Sequence, residues 1–258
     1  MRRSRLSLVL AVALLLTASG CQSSGGSAAD AADLPSDDAP PGVVDGRLDN
    51  VTALLDAHVA ALNETGFETL VVVNGTRPVT LGGDREVLNV SRSQRTLVEA
   101  GGTPYAYHTV NRGTGARFDA WANASTHYLR GDVGGQTYYR TGRPHAVAAL
   151  AFVDLLAPRL AAADYEVASV NRTGDRTLVT LRATGTTNAT AVFPANATDT
   201  SDYRSTLVVD RRGRVHRYEA SGNYTVAGRD ASFRLVFDLV RTENVTVERP
   251  AWVANVTA

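Results

Sequence analysis

SFRLVFDLV, residues 232–240, has apolar side chains at every second position: Phe233, Leu235, Phe237 and Leu239. The polar side chains of Ser232, Arg234 and Asp238 alternate with them. A period of two is that of a β-strand with one buried and one solvated face, which is common in antiparallel sheets. The segment therefore predicts a strand of an antiparallel sheet, and with it a mainly β architecture.

Further strands are predicted upstream of this segment. The sequence DRRG at residues 210–213 is a turn signal that joins strand patterns at 207–209 and 215–224. An apolar, β-branched run at 67–73 ends at Asn74-Gly75, a dipeptide typical of a tight hairpin turn. Shorter strand patterns, separated by Gly, Asn and Thr, follow near 86–98, 104–112, 116–122, 126–133 and 136–141. The chain is thus predicted to consist mainly of strands.

Two helices interrupt the strand patterns. Apolar residues recur at steps of three and four in residues 48–63, and Gly66 is expected to end that helix. Residues 145–163 are apolar nearly all round, and Pro158 is expected to kink or interrupt the helix there. Because neither helix can shield its apolar surface alone, we expect both to pack on one face of the sheet. The predicted fold class is α+β.

The N-terminus has the features of an export signal. Three arginines, Arg2, Arg3 and Arg5, precede an apolar run at 6–16 that is too short to span a bilayer. The sequence TASGC at 17–21 resembles the lipobox of prokaryotic lipoproteins, although Ala18 replaces the usual large aliphatic residue. It predicts cleavage of a signal peptide at residues 1–20 and a lipid on Cys21, the only cysteine. The alternatives are an ordinary signal peptide with an incidental cysteine, and twin-arginine export.

The segment after Cys21 is predicted to be a tether. Residues 21–44 consist mainly of Ser, Gly, Ala, Asp and Pro, which cannot bury enough apolar surface to offset the entropy of ordering. The remaining residues, 45–258, fit a single domain. No second hydrophobic segment approaches 18 residues, so the sequence predicts no membrane span.

Asparagine usage predicts a surface outside the cell. Eleven of the twelve asparagines begin Asn-x-Ser/Thr with no proline in the middle: Asn50, Asn63, Asn74, Asn89, Asn123, Asn171, Asn188, Asn196, Asn223, Asn244 and Asn255. This tripeptide is the acceptor site, or sequon, for N-linked glycans. The alternative is that Asn and Thr are both favoured in turns. The strand patterns place Asn89, Asn223 and Asn244 on the outward face, which predicts that one face of the sheet carries sugar.

Composition narrows the setting of the protein. All 26 basic residues are arginines, against 26 acidic residues, and the signal peptide holds three of those arginines and no acid. The mature chain is therefore slightly acidic, and it has no basic patch with interleaved aromatic residues, so no nucleic-acid partner is predicted. Lysine avoidance, the lipobox and the dense sequons together indicate an archaeal, halophilic cell surface. We expect the protein to be lipid-anchored on the outer face of the cell membrane, with envelope proteins as possible partners.

The sequence contains no pattern typical of catalysis. The five histidines, His58, His108, His127, His145 and His216, stand far apart without metal-binding spacing. Nucleophile elbows, phosphate-binding loops and dinucleotide-binding glycine patterns are absent from the sequence. The sequence therefore predicts no enzyme, no metal and no cofactor. A concentration of aromatic residues between 105 and 139 is interpreted mainly as core packing, with a ligand-lined concave face as the alternative.

Several local features carry a resemblance to known proteins. They are the lipobox at Cys21, the helix that ends in GFET (66–69), the helix after Tyr138-Tyr139, the turn VDRRG (209–213) and the terminal RPAW (249–252). In this order they resemble the LolA/LolB and LppX/LprG lipid carriers and, more closely, lipoproteins of haloarchaea with the same layout. The resemblance covers roughly residues 46–253. It implies a strongly curved, unclosed β-barrel wrapped around two helices, with an apolar cavity between sheet and helices, and it transfers no ligand-binding residue.

The sequence leaves two function classes open. One is a carrier or sensor that binds a lipid or other apolar ligand in the half-barrel. The other is a cell-envelope interaction or structural lipoprotein whose core is filled by its own side chains. Unfilled volume beside five apolar residues would favour the carrier: Val147, Leu150, Leu156, Phe233 and Phe237.

Overall fold

The computed structural model describes residues 34–81 and 84–257. Its strands are β1 Val43–Val44, β2 Arg47–Leu48, β3 Phe67–Leu81, β4 Asp84–Val98, β5 Tyr105–Asn111, β6 Ala116–Ala122, β7 His127–Val133, β8 Gln136–Gly142, β9 Glu166–Thr173, β10 Arg176–Ala183, β11 Thr198–Asp210, β12 Val215–Val226 and β13 Arg229–Thr242. Its α-helices are α1 Val51–Thr65, α2 Val147–Leu150, α3 Val153–Leu160 and α4 Ala254–Thr257. The signal peptide at 1–20 and Cys21 lie outside the described residues.

The thirteen strands form one open antiparallel sheet. Their spatial order is β1-β2-β9-β10-β11-β12-β13-β3-β4-β5-β6-β7-β8. The C-terminal strand β13 pairs with β3, with Phe237 opposite Val71, and this pairing joins the two halves of the sheet. In the described part of the chain β1 and β8 are the two edges and do not pair with each other. The predicted antiparallel sheet is confirmed, and each short pattern between 86 and 141 forms a strand.

One face of the sheet packs against the helices. Leu54 of α1 and Leu156 of α3 are fully buried in one apolar cluster with inward side chains from β9 to β13 and from β3. Six neighbouring strands thus share one core with two helices. The prediction that both main helices pack on the same face is confirmed, and the described chain is mostly strand with four short helices.

Helix α1 begins and ends where its local chemistry requires. The Asn50 side chain caps the helix, because its Oδ1 accepts a hydrogen bond from the Ala53 N–H at 2.9 Å. Gly66 follows the last turn with a φ of 70°, and a Cβ there would lie 2.8 Å from the Val98 carbonyl oxygen. Glycine adopts this positive φ without strain, and it has no Cβ that would collide with the carbonyl oxygen. The predicted helix at 48–63 is confirmed, with a shift of a few residues at each end.

The second predicted helix, at 145–163, is divided into α2 and α3. The division falls at Phe152, which has a left-handed φ of 60°, and not at Pro158, which lies inside α3. The turn places the Phe152 ring edge-on against Phe237, with ring centroids 6.0 Å apart. Burial of this aromatic contact offsets a backbone cost of roughly 1–2 kcal/mol for one left-handed residue. The expectation that Pro158 interrupts the helix is wrong.

The predicted hairpin turn at Asn74-Gly75 is also wrong. Strand β3 continues through both residues and is paired on both sides. A Cβ at Gly75 would lie 2.8 Å from the Ser232 carbonyl oxygen of the neighbouring strand. The glycine therefore permits close approach of β13 instead of forming a turn.

The C-terminal segment, residues 243–257, covers part of the opposite face. Its apolar side chains form a small core with Trp121: Val245, Val247 and Val253. Trp121 lies on that face because its neighbour Ala122 is buried on the helix side, in the cluster that contains Leu62. The C-terminal segment thus packs outside the sheet, away from the helices.

The alternation predicted that the sequon at Asn244 lies on a strand. This prediction is wrong. Strand β13 ends at Thr242, and Asn244 has a left-handed φ of 50°. The alternation of Asn244 with Val245 arises because Val245 is buried against Trp121, while Asn244 is exposed. An irregular segment that is pinned by every second side chain gives the same pattern as a strand.

Ordered contacts begin upstream of residue 45, within the segment expected as tether. The Arg172 Nε donates a hydrogen bond to Asp38 Oδ2 at 2.9 Å. Val43 of β1 is buried in the main core. Residues 36–44 therefore belong to the folded domain.

Candidate functional site

A groove lies between the inner face of strands β3–β7 and the segment that contains α2 and α3. It consists of two adjoining cavities of about 300 Å³ and about 240 Å³. Both are bordered by Arg92 and Gln94 of β4 and by Ala149 of α2. Val71, Val73, Phe152, Asp154, Leu155 and Arg159 complete the first cavity. Tyr107, Thr109, Phe118, Leu129, His145 and Leu150 complete the second.

The apolar walls of the groove follow from strand alternation. Val71 and Val73 of β3 face the helices, and so do the inward positions of the paired strands farther along the sheet, such as Phe118 and Leu129. Phe152 and Leu155 oppose them from the helical side. Since both walls carry apolar side chains and the space between them is not filled, the groove fits the apolar part of a ligand.

A polar stripe crosses the floor of the groove on β4 and β5. Gln94 Oε1 accepts hydrogen bonds from Arg92 Nη2 at 3.3 Å and from Thr109 Oγ1 at 3.2 Å. Gln94 Nε2 donates to Thr96 Oγ1 at 3.3 Å. On the helical side, Arg159 Nη1 donates to the Leu155 carbonyl at 2.7 Å, and its buried Nε has no hydrogen-bond partner in the described residues. The groove therefore combines apolar walls with two guanidinium groups.

A cluster of aromatic and histidine rings adjoins the second cavity. The rings of His127 and His145 lie 4.8 Å apart, and the Tyr105 hydroxyl lies 2.9 Å from His127 Nδ1. The same hydroxyl accepts the backbone N–H of His145 at 2.9 Å. Burial, with a smaller contribution from His145, lowers the pKa of His127 to about 4, and burial raises the pKa of Tyr105 to about 12. Both groups are uncharged at neutral pH. The hydrogen bond from the His145 N–H to the Tyr105 hydroxyl holds the chain that enters α2 against the sheet.

The remaining half of the inner face is filled by its own side chains. Leu156 and Phe237 are completely buried in the main core, and Phe233 packs edge-on against Phe193 with centroids 5.4 Å apart. Unfilled volume beside these three residues was the feature that would have favoured a carrier, and the structure shows packed side chains there instead. The structure places the groove farther along the sheet, over β3–β7, because the helices fill the space over β9–β13. Of the five apolar residues named for that feature, Leu150 alone lines the groove.

Other hollows are less suited to an apolar ligand. One hollow, of about 590 Å³, is lined mainly by charged residues and by the polar loop at 184–187, and it includes the ion pair between Arg47 and Glu166 at 2.6 Å. A hollow of about 400 Å³ adjoins the β11–β12 turn. We rank the first cavity of the groove above both, because its lining is mainly apolar and comes from the sheet and from the helix, whereas the second cavity has a more polar lining.

The polar cluster at the β11–β12 turn is structural. Asp210 Oδ2 accepts hydrogen bonds from Arg214 Nε at 2.7 Å and from His216 Nε2 at 2.9 Å. Its Oδ1 accepts the backbone N–H groups of Arg212 and Arg214 at 3.0 Å. Burial would raise the pKa of Asp210, but the hydrogen bonds from His216 and Arg214 outweigh it and hold the pKa at about 2. Both carboxylate oxygens are therefore engaged in fixing the turn.

Neither a metal centre nor a membrane-spanning helix is evident in the part of the chain that the structure describes. Within residues 34–81 and 84–257, no three His, Cys, Asp or Glu side chains are grouped so that they could hold a metal ion. No helix in those ranges is long and apolar enough to cross a membrane.

The sequon asparagines are distributed over the surface. Ten of the eleven are exposed, and Asn123 is half-buried. The Asn123 Oδ1 accepts hydrogen bonds from the backbone N–H groups of Ser125 and Thr126, at 2.9 and 2.8 Å, in a tight turn. Exposure of the acceptor side chains agrees with the prediction, and glycan attachment itself stays a prediction.

Comparison with known proteins gives low-level likenesses alone. No family model matches the chain, and no curated protein matches it. Among solved structures, the Mycobacterium tuberculosis lipoprotein LppX is 10% identical with a TM-score of 0.31, over 77% of this chain and 99% of that one. A DUF1329 family protein from Desulfovibrio piger is 12% identical with a TM-score of 0.27, over 78% and 95%. A LolA superfamily protein from Nitrosomonas europaea is 10% identical with a TM-score of 0.25, over 78% and 94%. At these TM-scores the similarities say nothing about the function of this chain.

Proposed function

We propose that this protein is a lipid-anchored, N-glycosylated protein of the outer cell surface that binds a lipid or another apolar ligand in the groove. The proposal describes a non-catalytic carrier or sensor. The observation that carries it is the unfilled groove between two apolar walls, in a molecule whose remaining inner face is tightly packed. A domain that needed a core and nothing more would gain stability by filling this space.

The size of the groove limits its occupant. Each cavity is at or below the lower end of the usual range for small-molecule sites, roughly 300–1,000 Å³. The two cavities adjoin along Arg92, Gln94 and Ala149, so the available space is elongated. This shape fits a single slender chain better than a bulky lipid with several chains.

The proposed location rests on the sequence. The lipobox at Cys21 supports a membrane anchor, and the sequons support a compartment in which glycans are added. Exposure of the acceptor asparagines in the described residues is compatible with that modification. The archaeal, halophilic setting is proposed from the absence of lysine together with these signals.

A second candidate function is an envelope interaction or structural protein without a ligand. The packed core over β9–β13 favours it, because Leu207, Tyr218 and Phe237 leave no exposed surface on that part of the inner face. In this alternative the groove is a surface depression without an occupant.

A blocking substitution separates the two candidates. Ala149 is exposed and borders both cavities, so Ala149→Trp should fill the groove without disturbing the core. We expect native mass spectrometry and lipid extraction of the mature wild-type chain to show a bound apolar molecule, and the variant to lose it. Ala60→Trp, on the exposed face of α1, is the matched control and should retain the ligand. An empty wild-type protein that also fails to bind added lipid would overturn the carrier and favour the interaction protein.

A further inference from the structure

We propose that the occupant of the groove is an anionic amphiphile, with a single apolar chain along the walls and a carboxylate or phosphate bound by Arg92 and Arg159. This inference rests on the proposed function and adds the class of ligand. Arg92 projects from β4 and Arg159 from α3, so the two guanidinium groups border the first cavity from opposite sides. A head group at that point would be held from the sheet and from the helix.

The two arginines lack the carboxylate partners that several arginines on the opposite face have. Three residues along β4 from Arg92, Arg95 Nη2 lies 2.6 Å from Glu68 Oε1 on the outer face. Other outer-face arginines pair in the same way, at 2.7–2.8 Å: Arg217, Arg234 and Arg241. Neither Arg92 nor Arg159 forms an ion pair with any described residue. Some outer-face arginines, such as Arg117, also lack an ion pair in the described residues, so the distinguishing feature of Arg92 and Arg159 is that both border the same cavity.

Hydrogen-bond donors also remain available in the groove. Among the described residues, Arg92 makes one long side-chain hydrogen bond, at 3.3 Å to Gln94, and Arg159 makes one, to the Leu155 carbonyl. The Nε of Arg159 is buried and lacks a partner among the described residues. A guanidinium group has five N–H donors, and its planar fork matches a carboxylate or phosphate with two parallel hydrogen bonds.

The net charge of the first cavity favours an anion. Asp154 is the one carboxylate in its lining, and it is exposed to solvent. With two arginines against one aspartate, the lining keeps a net charge of +1. Farther along the same inner face, Arg140 of β8 also has no carboxylate partner in the described structure, and its guanidinium lies 5.2 Å from the Tyr138 ring centroid. A cationic head group would meet repulsion here.

The experiment compares probes that share a twelve-carbon chain and differ in their head group. Dodecanoate and dodecyl phosphate are the anionic probes, glycerol monododecanoate is neutral, and dodecyltrimethylammonium is cationic. Each is titrated calorimetrically into the full mature chain, below its micelle concentration. We expect the anionic probes to bind about tenfold more tightly than the neutral probe, since one charge-assisted hydrogen bond contributes about that factor. The ratio between dodecanoate and dodecyl phosphate distinguishes a carboxylate from a phosphate head group.

Single substitutions assign the head-group site. Arg92→Gln and Arg159→Gln should each weaken the anionic probes about tenfold and leave the neutral probe unchanged. Arg117→Gln is the matched control, because Arg117 is exposed on the outer face of β6 and has no ion pair with a described residue. Arg92→Lys keeps the charge but loses the planar fork, so it should weaken the anionic probes less than Arg92→Gln does; circular dichroism reports whether each variant is folded.

Two failures are distinguishable. If all four probes bind equally and the arginine variants change nothing, the anionic head group is overturned and the apolar groove stands. If no probe binds, although the protein is folded, the proposed function fails together with this inference.

Discussion

Glu68 is almost completely buried on the outer face of β3, with 3% of its surface exposed, yet it carries a charge partner on each side. Its Oε1 accepts from Arg95 of β4, and its Oε2 accepts from Arg241 of β13 at 2.8 Å. The carboxylate thus links three strands, and removal of either arginine would leave a buried charge partly uncompensated. The chain has no lysine, so the planar guanidinium group supplies the cross-strand ion pairs to Glu68, Glu219 and Asp238.

His58 is the counterpart of Glu68 in the core, because it is buried without charge. Its Nδ1 accepts the backbone N–H of Val215 at 3.1 Å, which leaves the proton on Nε2. Burial lowers the pKa of His58 from 6.5 to about 4, and the Ala151 carbonyl opposes that shift in part. Imidazole therefore serves here as a hydrogen-bond acceptor that joins α1 to β12.

This buried imidazole predicts how stability depends on pH. Between pH 6.5 and about 4 the unfolded chain binds a proton at residue 58 and the folded chain does not, so the free energy of unfolding should fall as pH is lowered through that window. His58→Asn keeps an acceptor near the Nδ1 position and removes the titration. Urea unfolding at several pH values should show a flatter curve for the variant than for the wild type. Parallel curves would contradict the assignment of His58.

At the scale of strands and helices, the sequence patterns predicted best the strands in which inward and outward side chains simply alternate. Strands β5–β8 lie within one residue or so of their predicted bounds, since short hairpins with polar turns determine them locally. The patterns gave wrong predictions at Gly75 and at Phe152. The close approach of β13 determines the backbone conformation at Gly75, and the contact with Phe237 determines it at Phe152. Both depend on partners that are distant in the sequence, so no local rule contains them.

The candidate site was less predictable than the fold, for the same reason. The outward assignment of Asn89 puts Arg92 and Gln94 on the inner face of β4, but two polar residues at inward positions do not by themselves indicate a groove. The histidine pair needs the β6–β7 turn and the entry to α2 to bring His127 and His145 within 4.8 Å. The aromatic-rich region between 105 and 139 did hold a signal, because Tyr107 and Phe118 line the groove.

The contact of α1 with the β11–β12 turn can be tested by a pair of glycine substitutions. Gly213 and Gly228 both lie in hairpin turns with left-handed φ values, of 81° and 73°. A Cβ at Gly213 would lie 2.6 Å from Ala57 Cβ of α1, whereas a Cβ at Gly228 would meet nothing within 4 Å. Both alanine variants should lose roughly 1–2 kcal/mol from backbone strain.

Gly213→Ala should lose roughly 1–3 kcal/mol more than Gly228→Ala, because α1 has to shift. Chemical denaturation of the two variants measures this difference directly, and the shared backbone contribution cancels. Equal losses would show that α1 does not press closely against the turn.

For the molecule as a whole, the proposed membrane attachment depends on one residue, Cys21. Cys21→Ser removes the acceptor of the lipid, and we expect the variant to move from the membrane fraction to the medium. Fractionation followed by immunoblotting measures the distribution, and Ser23→Ala in the neighbouring tether is the control that should stay membrane-bound. If Cys21→Ser stayed in the membrane fraction, this result would contradict the lipoprotein interpretation.

The two faces of the sheet divide the proposed roles. Asn223 of β12 pairs with Ser232 of β13. The Ser232 N–H donates to Thr76 Oγ1 of β3 at 2.7 Å, and Thr76 pairs with Asn89 of β4. Asn74 lies two residues from Thr76 on β3. Three exposed acceptors therefore sit close together on the outer face, while Val71 and Val73 of the same strand line the groove on the inner face.

This arrangement predicts which sequons carry glycans. In material from the native host, glycopeptide mass spectrometry should show high occupancy at Asn74, Asn89 and Asn223, because these side chains are exposed on a regular strand. Occupancy should be lower at Asn123, which is half-buried in its own turn, and at Asn50, which caps α1. Glycans on the outer face leave the groove accessible, so Asn→Gln at all three strand sites should reduce solubility without changing ligand binding. Unmodified peptides at all three sites would contradict the prediction, and a loss of binding in the triple variant would show that the two faces are not independent.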